Sequence, residues 1–269
     1  MTAVAKLYTL SLSHPGHAAR LMLERTGIEH EVKCLTPGLH PARLRAAGFK
    51  RGTTPALKID GRRIQGSREI AAALDEMRPT PPLFPADARP RRAVMRAEEW
   101  GEREFQPLPR RFLRWGFRNL NEMRRWMGVE VVGMPAAGVL ARVGAPQAAY
   151  FARLSGATDA AVRADLEQLP SLLDHVDRLI ELGTIGHAEP NAADFQIGTT
   201  ARLLCAFDDL RHTVEGTPAG KLGMQIFPDF QYRVPSFLPQ AWLRHLTPAA
   251  TASPASHEEA PDISAAPSA

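Results

Sequence analysis

Cysteine is nearly absent. Two residues in 269, Cys34 and Cys205, are too few for a disulfide framework. Lysine is scarce as well: Lys6, Lys33, Lys50, Lys58 and Lys221 are all there is among 33 basic residues, and the rest are arginine. Against 29 acidic residues this leaves a formal charge of +4, at most a mild preference for anionic partners. No run approaches the roughly 20 apolar residues that span a bilayer. The most apolar stretch, Val129 to Gly144, is broken by Glu130, Pro135 and Arg142. The opening Met1-Thr-Ala-Val-Ala-Lys6 has no basic segment followed by an apolar one, so no secretion signal is visible and a cytoplasmic protein is expected. What is present is a 44% apolar fraction, which excludes wholesale disorder, on a chain long enough for one large domain or two ordinary ones.

The clearest boundary is Arg78 to Pro90, with five prolines in thirteen residues. Proline fixes φ and removes a donor, so neither a helix nor a central strand is expected to cross it. The expected organisation is therefore a domain over residues 1–78, a semi-rigid linker over 79–90, a helical domain over 91–246 and a disordered tail over 247–269. The tail is Ala, Pro, Ser and Glu with one large apolar side chain, Ile263, and cannot offset its ordering entropy by burial. Before the linker the pattern reads strand (Ala5 to Leu12), helix (Pro15 to Arg25), strand (Ile28 to Leu35) and a short helix (Pro41 to Ala47). Two strands then flank Asp60-Gly61, a two-residue hairpin signal, and a helix opens at Ser67 with Ile70, Leu74 and Met77 on one face.

After the linker strand signals nearly vanish. Helices are expected over Asp87 to Phe105 and Asn191 to Phe207, and Val162, Leu166, Leu169, Leu173, Val176 and Ile180 form a core-facing stripe. Pro170 lies inside that stripe and predicts a kink or two abutting helices. Residues 106–156 have no clear pattern. Residues 89 to 125 carry eleven Arg against five Glu, with Trp100, Trp115 and Trp126 in or beside them. That mixture suits single-stranded nucleic acid, but a solvated helix face with inward aromatics explains it more simply. Neither a nucleic-acid nor a membrane partner is expected.

An α/β half ordered βαβαββα, a Pro-rich linker and an all-α bundle together resemble the cytosolic glutathione S-transferase family, whose N-terminal domain is thioredoxin-like. Four local features carry the resemblance. They are the strand-to-helix start from Tyr8 through Ser13, His14 and Gly16 to Gly27, the turn Thr53-Thr54-Pro55-Ala56-Leu57, the hairpin and helix start Ile59-Asp60-Gly61 to Gly66-Ser67-Arg68-Glu69-Ile70, and Pro190-Asn191-Ala192-Ala193-Asp194. The resemblance implies conjugation of glutathione or a related small thiol to a hydrophobic electrophile, in a homodimer serving detoxification. No cofactor beyond the thiol co-substrate and no metal is implied. The alternative is a non-catalytic member that uses the fold as a ligand- or protein-binding module.

The residues support specific roles beside that resemblance. A small thiol ionises near ~8.5 and is mostly protonated at neutral pH. A hydroxyl at the positive end of a helix favours the thiolate, and Ser13 is placed for that; it is equally a plain N-cap. With Ser13 and Gly16 where a dithiol motif has its cysteines, disulfide exchange at this turn is excluded. Of His14 and His17, one (His14) is expected to line the thiol pocket and the other to lie on the surface. A cis bond at Thr54-Pro55 is implied by the resemblance and would present the main chain of Thr54 to an extended peptide. Ser67 is expected either to meet a ligand carboxylate or to be an N-cap. Gly66 stands where the family usually has an acidic or Gln residue, so a γ-glutamyl ammonium lacks an anion unless Glu69 or Asp75 supplies one. The resemblance implies an acceptor pocket between the first strand-helix turn and the first helices of the second domain, which makes Tyr8, Trp100, Phe105, Arg110, Arg111, Phe112 and Trp115 candidates for its walls. Asn191 and Asp194 fit a capping box, and both cysteines read as packed, inert thiols.

Overall fold

The computed structural model describes residues 4–134 and 137–246; the tail expected over 247–269 lies outside the described residues. The N-terminal part runs β1 (Ala5–Thr9), α1 (His14–Arg25), β2 (His30–Cys34), α2 (His40–Ala46), β3 (Ala56–Ile59), β4 (Arg62–Gln65) and α3 (Ser67–Met77). The sheet order is β2-β1-β3-β4, with β1 parallel to β2 and antiparallel to β3. Asp60 and Gly61 both take positive φ, 45° and 76°, which the tight β3–β4 hairpin requires. Alternation along β1 divides two cores. Leu7 packs in the main core with Met22, Leu57, Ile70 and Leu74, while Tyr8 points to the other face, into a small cluster with Leu44, Phe49 and Ala56.

Two sequence expectations fail in this half. β1 ends at Thr9 because the chain turns at once, with the Ser13 N–H donating to the Leu10 carbonyl at 2.9 Å. Cys34 is exposed, not packed: β2 is the edge strand, and Val32 (40% exposed) and Cys34 lie beyond the helical cover. Cys205 is buried, and burial pushes its thiol up to about 11, so it is inert as expected.

The connection is pinned rather than merely stiff. Leu83 and Phe84 are buried, and their N–H groups donate to Asp75 Oδ1 at 3.1 and 3.2 Å. Helix α4 (Ala88–Trp100) begins inside the expected linker; Pro90 sits in its first turn, where the missing N–H is an orphan donor in any case. The helix expected to end at Phe105 instead widens into a π-helical turn over Gly101–Phe105, with the Gln106 N–H reaching back to the Gly101 carbonyl at 2.8 Å. Pro107 and Pro109, which follow, have no N–H to give to the preceding turn. Helices α5 (Pro107–Asn119), α6 (Asn121–Trp126), α7 (Ala137–Val143) and α8 (Ala145–Leu154), with a second π-helical turn at Met127–Val131, fill the segment whose pattern was unclear.

Helix α9 (Asp159–Glu181) is a single helix through Pro170 rather than two abutting ones. The carbonyl that Pro170 leaves unpaired is that of Leu166, and it accepts from His245 Nε2 at 3.0 Å. His245→Ala is therefore expected to cost about 1–2 kcal/mol in urea unfolding. In a Pro170→Ala background the same substitution should cost clearly less, because the backbone then supplies the missing N–H; equal costs in both backgrounds would contradict this.

Helix α10 (Ala192–Cys205) is the axis of the bundle: every residue except Arg202 is buried. It packs on α12 (Pro218–Ile226) at backbone distance, since a Cβ on Gly223 would sit 2.6 Å from the Arg202 nitrogen. Short helices α11 (Arg211–Val214) and α13 (Gln240–Leu243) complete the described bundle. No helix among the described residues is long and apolar enough to cross a membrane.

Candidate functional site

Ser13 is the N-cap of α1. Its backbone is extended, and Oγ accepts from the Gly16 N–H at 3.2 Å. The side chain is half-buried, and Oγ lies 3.5 Å from Thr54 Oγ1. That contact is a hydrogen bond in which either hydroxyl can donate; with Thr54 donating, the Ser13 proton can turn to an anion at the positive helix end. A Cβ at Gly16 would fall 1.7 Å from Thr9 Oγ1, so only glycine lets the first turn of α1 close against β1.

The Thr54-Pro55 bond is cis. Among the described residues, no protein group pairs with the main-chain N–H or C=O of Thr54, whereas the following Pro55 carbonyl accepts from the Gly66 N–H at 3.0 Å. Gly66 has φ 111° and gives α3 no side-chain cap, so the first-turn N–H groups of that helix lack one acceptor. A Cβ on Gly66 would meet Glu69 Oε2 at 2.0 Å. The Glu69 carboxylate thus occupies the space of the missing side chain, and Arg51 holds it at 3.4 Å. Asp75, the other candidate anion, is consumed by Leu83, Phe84 and Arg91.

Ser67 departs from expectation. It is the first helical residue rather than the cap, is 2% exposed, and its hydroxyl donates to Gln196 Oε1 at 3.3 Å. The side chain ties α3 to α10 and does not face an open cleft. Sequence reasoning missed Gln65, which clamps the loop before the cis turn by accepting from the Arg51 N–H at 2.9 Å and donating to the Arg51 carbonyl at 2.7 Å. A cavity of about 530 Å³ borders this clamp, lined by Gly48, Phe49, Lys50, Arg51, Arg63 and Gln65; Ser13 and Thr54 are not part of its lining. It also missed Arg68, which reaches Glu98 at 3.7 Å and Glu102 at 3.3 Å across the junction of the two halves. Glu98 is 3% exposed, and burial pushes its carboxyl up to about 7 despite Arg68.

Neither histidine is on the surface. His17 bonds the Ser11 carbonyl through Nε2 at 2.7 Å and packs on Phe227 and Phe230; burial pulls its imidazole down to about 4. His14 is 4% exposed and held neutral by burial, reinforced by the Arg110 charge. Most expected pocket walls are core. Tyr8 stacks edge-on to Phe49 in the cluster under α2, on the sheet face opposite α1. Trp115 is 7% exposed, donates to Asp159 Oδ1 at 2.8 Å and packs on Phe237 and Trp242. Phe105 and Phe112 are fully buried, Trp100 lies half-buried against Phe105 and His175, and Arg111 is spent in a two-pronged ion pair with Asp165. Arg110 alone of that set remains half-buried and without a carboxylate partner among the described residues.

The order of elements, the cis turn and the uncapped α3 coincide with a family match: residues 7–82 fit the model of the glutathione S-transferase N-terminal domain. Residues 7–82 carry a glutathione S-transferase N-terminal domain. No curated protein matches the sequence. Among solved structures, a glutathione S-transferase from Sinorhizobium meliloti is 18% identical with a TM-score of 0.56, covering 95% of this chain and 97% of that one. A glutathione S-transferase from Rhodospirillum rubrum is 18% identical with a TM-score of 0.55, over 89% and 98% of the two chains. FzlA from C. crescentus is 19% identical with a TM-score of 0.56, over 85% and 89%. At such identities the likeness extends the glutathione S-transferase fold, a thioredoxin-like half followed by helices, to the whole described chain.

Proposed function

We propose that this chain binds glutathione, or a closely related peptide thiol, along the Ser13–Thr54–α3 edge and conjugates it to an electrophile. One observation carries the reading: a half-buried Ser13 hydroxyl at the α1 N-terminus stands 3.5 Å from Thr54 Oγ1, on a residue whose main-chain groups have no partner among the described residues. Thr54 suits the peptide part of the thiol by pairing like an added strand. The uncapped start of α3 suits its α-carboxylate, and Glu69, standing over Gly66, suits its ammonium. Ser13 then favours the thiolate by donating to it, and the protein adds proximity of the two substrates. In the transfer the thiol gives its proton to solvent, sulfur bonds the electrophilic carbon, and the leaving group departs with its electron pair.

A second reading, a non-catalytic binding module, is favoured by one feature. The Ser67 hydroxyl is committed to Gln196 and buried, so that group is lost to a ligand. Calorimetric titration with glutathione, alongside turnover of chlorodinitrobenzene, decides between them. Saturable binding with turnover is expected. Binding without turnover would leave the module, and no binding would reject both glutathione-based versions.

A further inference from the structure

The π-helical turn before α5 is followed by a run of cationic side chains, of which Arg110 acts electrostatically on His14, the residue after Ser13. Arg110 is half-buried, and its Nη2 donates to Gln106 Oε1 at 2.8 Å. One turn later Arg114 donates to the Phe151 carbonyl at 3.4 Å and lies 5.8 Å from the centroid of the Phe151 ring. The other side of that ring system meets His40, at the start of α2, stacked at 5.6 Å and 26°. Its Nδ1 accepts from the Gly38 N–H at 3.3 Å, which leaves the proton on Nε2. His14 is 4% exposed and meets the Gln106 backbone, while the Gln106 Nε2 group, on a residue also 4% exposed, has no partner among the described residues.

No carboxylate among the described residues pairs with Arg110 or Arg114. Their neighbour Arg111 takes Asp165, and Glu102, the acid nearest in effect to Arg110, is taken by Arg68 at 3.3 Å. Arg110 and Arg114 are like charges one helical turn apart, a repulsive spacing. Burial and the neighbouring guanidinium draw both arginines and His40 toward their neutral forms. A partly desolvated positive pair beside an orphaned amide donor is unfavourable for the empty fold and complementary to an anion.

We infer that the acceptor site takes an electrophile bearing a carboxylate, which Arg110 and Arg114 hold. Naming this ligand the acceptor rests on the transferase reading above; the anion subsite itself is measurable without turnover. The arginines act as specificity residues, and the sulfur chemistry stays at Ser13.

The test uses the full chain and two pairs of probes. In the first, chlorodinitrobenzoate and its carboxamide match in size and shape and differ in charge. The wild-type ratio of kcat/KM, carboxylate over carboxamide, is expected to be at least tenfold after correction for uncatalysed rates. Arg114→Gln should cut that ratio at least tenfold, and Arg114→Lys should keep most of it. In the second, calorimetry compares unreactive dinitrobenzoate with dinitrobenzamide in the absence of thiol. The benzoate is expected to bind at least tenfold tighter, with the preference falling as salt rises. Equal binding of the two would overturn the anion subsite whether or not turnover occurs. A benzoate preference with no turnover of either acceptor would leave the subsite standing and reject the transferase. The wild-type binding comparison decides the matter even if Arg114→Gln fails to fold, which thermal melting would reveal.

Discussion

Ser13→Ala is expected to slow conjugation about 10²-fold, the loss typical of removing one donor to a developing or resident anion. The loss should fall on kcat more than on KM for the thiol, because the peptide part of the ligand is held by Thr54 and the α3 start rather than by the hydroxyl. The substitution also removes a helix cap, since Ser13 Oγ accepts from the Gly16 N–H at 3.2 Å, and that alone costs about 1 kcal/mol of stability. Ser13→Asp separates the two effects. It restores an acceptor for the cap but has no proton to give and carries a charge that repels a thiolate. The expected outcome is a protein at least as stable as wild type with no more activity than Ser13→Ala. Activity within twofold of wild type in Ser13→Ala would reduce the residue to a cap.

Asp194→Ala should be the most damaging single substitution for stability, about 3–5 kcal/mol by chemical unfolding. The residue has no exposed surface, and its two oxygens accept from the Gly186 N–H at 2.6 Å and the Asn191 N–H at 2.9 Å. Burial pushes this carboxyl above its ordinary range, while the two backbone donors pull it back. Asn191 answers by accepting from the Ala193 and Asp194 N–H groups, completing a capping box at the head of the most buried helix in the molecule. Removing the carboxylate leaves two N–H groups buried without partners, at the point where α10 meets the connecting segment through the Leu83 carbonyl. Asp194→Asn keeps one acceptor and should recover part of the loss. Activity per folded molecule should be unchanged, because none of these groups faces Ser13.

The elements were legible where local chemistry decides them. Asp60-Gly61 can hardly be anything but a hairpin, Asn191 to Asp194 are a cap written in four residues, and Gly27 stops α1 as a left-handed residue should. What could not be read was which face each helix covers. Period-two alternation puts Leu7 and Tyr8 on opposite sides of β1 but does not say that α2 roofs the Tyr8 side, nor that the β2 edge is left bare. Long-range partners were equally hidden. Ser67 is claimed by Gln196 at a separation of 129 residues, and Pro170 is tolerated because His245 bonds the carbonyl of Leu166, 79 residues away. Trp115 looked like a pocket wall until Asp159 took its indole N–H. Arg114, Phe151 and His40 had no local signal, because their meeting depends on how α8 folds back on α5 and α2.

The most direct measurement is an ultraviolet titration of the thiolate of glutathione held at saturating protein. Bound at the head of α1, the thiol should ionise at least one pH unit below the free thiol in the same buffer, and Ser13→Ala should return most of that shift. A bound thiol that titrates with the free one, or a ligand that never binds, would contradict thiolate stabilisation at Ser13.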